Sequence, residues 1–167
     1  SYLALEGDTT FTKYWMISNK ESVSDYVWLG AVNSNWNILS NWSGGKIPDN
    51  TSNVLIPDAI STNNDPLLTA TSGYGISGGI DVVQGEVKIR SLEIATGGVL
   101  NVQSGDNVKM TIYGGPNADG GGINYGSWDN KGTFNPGNSE VIFDYDSSAS
   151  ESTISGSTQF YNLSIAA

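Results

Sequence analysis

Residues able to do chemistry are few in this chain and thinly spread. A glycosidase or lyase works with paired carboxylates, whose spacing in space a sequence does not show, and Asp144 and Asp146 at i and i+2 would share one face of a strand. Alternate strand side chains also point together into water, and these two are read as solvated. Loops at Asp49-Asn50, Asn63-Asn64-Asp65 and Gly105-Asp106-Asn107 offer the oxygen donors that a hard cation such as calcium takes. None follows the twelve-residue EF-hand order or a Gly-Gly-x-Gly-x-Asp repeat, and Asn and Asp in turns commonly bond their own backbone. Calcium therefore stays open and is assigned to no residue. The sequence contains no His and no Cys, so the commonest general base and the usual zinc ligands are missing. GxSxG, GxxxxGK[ST] and HExxH do not occur. Gly120-Gly121-Gly122-Ile123 reads as a turn with no helix after it to hold a phosphate. The single arginine, Arg90, alternates with Ile89 and reads as an outward strand residue rather than a lyase base. No residue is assigned a catalytic, cofactor-binding or metal-binding role.

Three of the five tryptophans, Trp28, Trp36 and Trp42, crowd into one segment among Asn, Ser and Gly. Such rings could stack on sugar faces if exposed, or act as buried plugs in an irregular loop. The plug is the favoured reading.

The elements that must position these residues are short strands. Charged residues are only 14% of the 167, and 21 glycines with many Ser, Thr and Asn take their place, a mixture suited to β-structure with tight turns. A net charge of −10 repels phosphate backbones and argues against nucleic acid as a partner. No apolar run approaches the length of a membrane span, and no signal peptide is visible. Helical periodicity is nearly absent. Alternating runs at 2–5, 53–56, 87–89, 92–94, 99–102, 110–112, 141–143 and 163–165 predict strands between turn residues.

Internal similarity orders these strands. Residues 85–95 can be laid over 156–166 without a gap, so that Gly85, Ile89, Leu92, Ile94 and Ala95 fall on Gly156, Phe160, Leu163, Ile165 and Ala166. The expectation is equivalent strand positions, with Ile89, Leu92, Phe160 and Leu163 buried. A looser match sets 2–8 beside 99–106. Repeated strands with glycine corners, such as Gly97-Gly98 and Gly114-Gly115, suit the rungs of a parallel β-solenoid, or β-helix. An antiparallel β-sandwich is the alternative. In the solenoid the three tryptophans would cap its open apolar cross-section.

Trp28-x-Gly30, Trp36, Asn41-Trp42, Gly44, Pro48 and Val54-x-Ile56-Pro57 together form a motif that resembles one in large surface proteins of Bacteroidota, including cargo of the type IX secretion system. Asn130-Lys131-Gly132-Thr133-Phe134, Val141-Ile142-Phe143 and 154–163 follow in the order that family shows, so the resemblance covers roughly 25–167. It implies a β-helical, adhesin-like region and no reaction. Asp8-Thr9-Thr10 also fits a short O-glycosylation signal of such bacteria. The division expected is 1–24 as the end of a preceding β unit, 25–57 as a Trp-rich capping segment, and 58–167 as solenoid rungs, cut short at the C-terminal end. The function expected is a non-catalytic structural or adhesive module of a secreted cell-surface protein. Its partners would be neighbouring domains of the same long chain, with secretion machinery or surface glycans beside them, and neither nucleic acid nor membrane insertion. The alternative is a carbohydrate-binding module or a fragment of a β-helical polysaccharide-active enzyme.

Overall fold

A computed structural model describes residues 26–59, 64–114, 128–144 and 153–166. Among these the chain is all-β, with one short 3-10 turn at Leu39–Asn41. The strands are β1 (Tyr26–Val27), β2 (Asn53–Ile56), β3 (Leu67–Leu68), β4 (Gly73–Ile76), β5 (Asp81–Gln84), β6 (Glu86–Ile89) and β7 (Ser91–Ile94). After them come β8 (Val99–Val102), β9 (Lys109–Ile112), β10 (Trp128–Asn130), β11 (Thr133–Asn135), β12 (Glu140–Phe143), β13 (Ile154–Gly156) and β14 (Asn162–Ile165).

Three open sheets hold twelve of these strands, in the orders β1-β2-β7-β10-β13, β3-β8-β11 and β6-β9-β12-β14, and every pairing within them is parallel. From β6 to β12 the chain visits the third, first and second sheets in strict rotation. Parallel pairing of this kind is not what an antiparallel sandwich makes. The exception is the hairpin β4–β5, whose strands pair antiparallel between β3 and β6.

Alternation dictates which side chains meet. In the first sheet Val54, Leu92, Trp128 and Ile154 lie in register, and in the third Val87, Met110, Val141 and Leu163 do so, beside Ile89, Ile112, Phe143 and Ile165. Strands about 4.8 Å apart stack each apolar side chain on its equivalent in the next layer. The core is therefore a set of columns and not a set of facing pairs. Glu93, Asp129 and Ser155 occupy the intervening outward column.

These columns correct the expected repeat. Leu92 belongs to the first sheet, whereas Leu163 belongs to the third and stacks below Val141, in the column of Val87. Leu163 is 46% exposed instead of buried, Phe160 is partly buried, and only Ile89 and Leu92 are enclosed as expected. Corner lengths explain the slip. One residue, Arg90, separates β6 of the third sheet from β7 of the first, but residues 157–161 separate β13 of the first sheet from β14 of the third, so a gapless overlay sets strands of different sheets against each other. Arg90 lies in that bend rather than within a strand, and its backbone N–H donates to the Ser52 carbonyl. Gly97-Gly98 turn the chain between β7 and β8, and Gly114 follows β9. The 2–8 half of the looser match with its 2–5 strand, Gly115 and Asp146 lie outside the described residues.

Candidate functional site

The tryptophan segment forms the layer above β2. β1 pairs with β2, Asn35 bridges to Leu67 of β3, and the Ile47–Pro48 backbone bonds the hairpin through Gly79 and Gly75. Too short for regular strands, this layer is held by side chains. Trp28, Trp36 and Trp42 are 3%, 0% and 1% exposed. Trp42 meets both other rings edge-on, at centroid distances of 4.9 Å from Trp28 and 4.6 Å from Trp36, while Trp28 and Trp36 stack at 6.3 Å. The Trp42 indole Nε1 donates to the Trp36 carbonyl at 2.9 Å, and that of Trp28 to the Asn64 carbonyl at 2.6 Å. The Trp36 Nε1 is buried without a partner among the described residues. With their faces covered, the three rings offer no platform to a sugar.

Asn41, which a reading of residue types leaves unexplained, is the polar centre of this layer. Fully buried, it accepts from the Val32 N–H at 2.8 Å and donates to the carbonyls of Asn33 at 2.8 Å and Asn35 at 2.9 Å. Its amide thus supplies the bonds that a neighbouring strand would otherwise give to a buried loop. Gly30 adopts φ +57°, and a Cβ there would strike the Asn64 backbone. Tyr26 lies against Gly44, Pro48 accepts from Gly75, and Val54 and Ile56 enter the core from β2. Every motif position but Pro57 is thus accounted for by packing and backbone bonding.

Three residues of the loops weighed for calcium, Asp49, Asn64 and Asp106, are bonded within the protein. Asp49 Oδ1 accepts from the Thr51 N–H and from the hydroxyls of Thr51 and Ser52, an acid closing its own turn. Asn64 donates from its backbone and side chain to the Gly30 carbonyl, while Asp106 accepts from the Ala70 N–H. Burial, helped by the neighbouring Asp58 charge, pushes the Asp65 carboxyl up. Asn63 lies outside the described residues. Among the described residues no three acids gather in a way that could hold a metal ion.

On the outward face of the first sheet Lys131 bridges Glu93 at 3.1 Å and Asp129 at 2.7 Å, and the Ser155 hydroxyl also donates to Asp129. Burial would raise the Asp129 carboxyl, but hydrogen bonds from Lys131 and Ser155 with the lysine charge outweigh it and hold the group below its ordinary value. In the third sheet Glu86 accepts from Thr111 and Glu140 from Ser164. These acids tie one layer to the next. Asp144 follows β12, and its backbone N–H donates to the Ile112 carbonyl.

A second aromatic cluster, missed in the sequence, lies in the lower layers. Trp128 contacts Phe134, Phe143 and Phe160 at centroid distances of 5.0, 6.5 and 5.1 Å. No family model, no curated protein and no solved structure matches the chain. No helix among the described residues is long and apolar enough to cross a membrane.

Proposed function

We propose that this chain is a non-catalytic module of a large secreted bacterial surface protein, a parallel β-solenoid in which the tryptophan layer is the cap and the outward faces are the working surface. The observation that carries this reading is the burial of Trp28, Trp36 and Trp42 above the first stacked strands. A solenoid must cover the apolar cross-section at its ends, and three interlocked, buried indoles suit that role. The resemblance of 25–167 to Bacteroidota adhesin-like proteins supports the location and the class. Rotation of the chain through three parallel sheets supports the solenoid, and the structural bonds of Asp49, Asp106, Asp129 and Glu86 support a role without catalysis.

The test is incubation of the purified chain with plant, algal and host polysaccharides, with and without calcium. No release of reducing ends or unsaturated sugars is expected. Release that disappears on substituting a single Asp or Lys would overturn the proposal.

A further inference from the structure

Of the five prolines in the chain one, Pro66, follows an aspartate. The bond between Asp65 and Pro66 carries its own chemistry. An Asp carboxyl can reach its own main-chain carbonyl carbon and close a five-membered ring there. Attack within one residue needs no second reactant to be gathered. The prolyl nitrogen belongs to a tertiary amide without an N–H, so it accepts a proton more readily than other amide nitrogens and leaves as an amine. Asp65 is half-buried and not sealed, so water reaches it. Burial, and after it the Asp58 charge, push its carboxyl up, so the acid form persists to higher pH than in an unfolded chain. The residues that bond this segment, Gly30, Ser34 and Asn101, are uncharged.

The backbone is pinned on both sides of that bond. Before it, the Asn64 N–H donates to the Gly30 carbonyl at 3.2 Å, and the Trp28 indole donates to the Asn64 carbonyl. After it, the Pro66 carbonyl accepts from the Asn101 N–H at 3.0 Å, and the Leu67 N–H donates to the Ser34 carbonyl at 2.8 Å. β2, which precedes the bond, pairs along its whole length with β7, which follows it, and the Ile47 N–H donates to the Gly79 carbonyl.

We propose that Asp65-Pro66 is a self-cleavage site, where the chain cuts itself in mild acid into two pieces that stay docked as one β-structure. The hydroxyl oxygen of the Asp65 side-chain acid bonds to the Asp65 main-chain carbonyl carbon. Its proton passes to the Pro66 nitrogen, and the bond between that carbon and nitrogen breaks. A cyclic anhydride remains on Asp65, and one water opens it to a main-chain and a side-chain carboxyl. Water is the one reagent consumed. The cut removes the covalent tie between the tryptophan layer and the strands below it, but leaves the pairing of β2 with β7 and the bridge of Asn35 to Leu67 in place. The tryptophan layer is then held by non-covalent contacts alone.

The test follows the purified chain by mass spectrometry between pH 3 and pH 7, beside a blocked peptide of residues 62–68 that contains the same bond. Fragments 1–65 and 66–167 should accumulate at pH 5 about threefold or more faster than the peptide is cut, with the difference closing near pH 3, where both carboxyls are protonated. Pro66→Ala and Asp65→Glu should each stop the cut, the first by restoring an ordinary amide and the second by enlarging the ring. Native tryptophan fluorescence checks that these variants fold, and either one suffices if the other does not. Asp58→Asn should slow cleavage at pH 5. The cut chain should elute as the intact one does in native buffer and separate in urea. Cleavage no faster than in the peptide at pH 5, or persisting in a folded Pro66→Ala or Asp65→Glu chain, would overturn the proposal. Fragments that part in native buffer would overturn the docked product. None of these results bears on the polysaccharide assay, so this proposal and the non-catalytic role can fail separately.

Discussion

Replacing Asn41 by Ala should destabilise the chain more than any truncation of a polar side chain on its surface. The side chain is fully buried, and its three short bonds run to the backbone of Val32, Asn33 and Asn35. A hydrogen bond contributes about 0.5–1.5 kcal/mol net, and an orphaned buried donor costs about 1–3 kcal/mol. Allowing for water reaching part of the loop, the loss comes to about 2–4 kcal/mol. For a chain of this size that lowers the melting temperature by roughly 5–15 °C. Asn41→Asp sharpens the test, because it keeps shape and acceptor but turns the donating nitrogen into a carboxylate oxygen facing two carbonyls. It should be at least as harmful as Asn41→Ala at pH 7 and should recover in part once the acid is protonated. Urea unfolding followed by fluorescence of the adjacent tryptophans reads both variants. Losses within about 0.5 kcal/mol, as at ordinary surface positions, would refute the role given to Asn41.

Other expectations follow from the same contacts. Trp42→Phe breaks the bond to the Trp36 carbonyl, whereas Trp36→Phe removes a donor that has no partner, so the first should cost about 1 kcal/mol more in chemical denaturation. The Asp129 pKa is depressed in the folded chain, so its contribution is present above the unfolded value of about 3.9 and is lost as pH falls through the folded value. Asp129→Asn should therefore lower the melting temperature at pH 7, with the difference closing in acid. Asp65 has the opposite sign. Its raised pKa makes the folded state lose stability as pH rises through the window between the two values, so Asp65→Asn should raise the melting temperature at pH 7 but not at pH 3.

Much of the fold was legible because period-two alternation reports directly on burial. β2, β6, β7, β8, β9, β12 and β14 all fall on runs marked by that pattern. The hairpin was not legible, since Gly73-Tyr74-Gly75-Ile76 has glycines at the positions where its strand packs against Val82, Val83 and Ile47. Alternation also carries no label for the sheet a strand joins, and for that reason Leu92 and Leu163 were set together wrongly. Trp128 stands before Asp129 and Asn130, in a strand whose polar residues concealed an inward ring. Within the tryptophan layer the burial of the rings was readable from their crowding among turn residues. The work of Asn41 was not, because its partners are backbone groups that only the folded loop brings near.

The central claim is that Trp28, Trp36 and Trp42 are interior cap residues and not a ligand platform. Thermal melts of Trp36→Ala and Trp42→Ala beside a glycan array test it most directly. Truncating a buried ring of this size costs roughly 3–5 kcal/mol, so both variants should melt well below the parent while the array gives no glycan signal that depends on either ring. Unchanged melting together with loss of a glycan signal present in the parent would contradict the account.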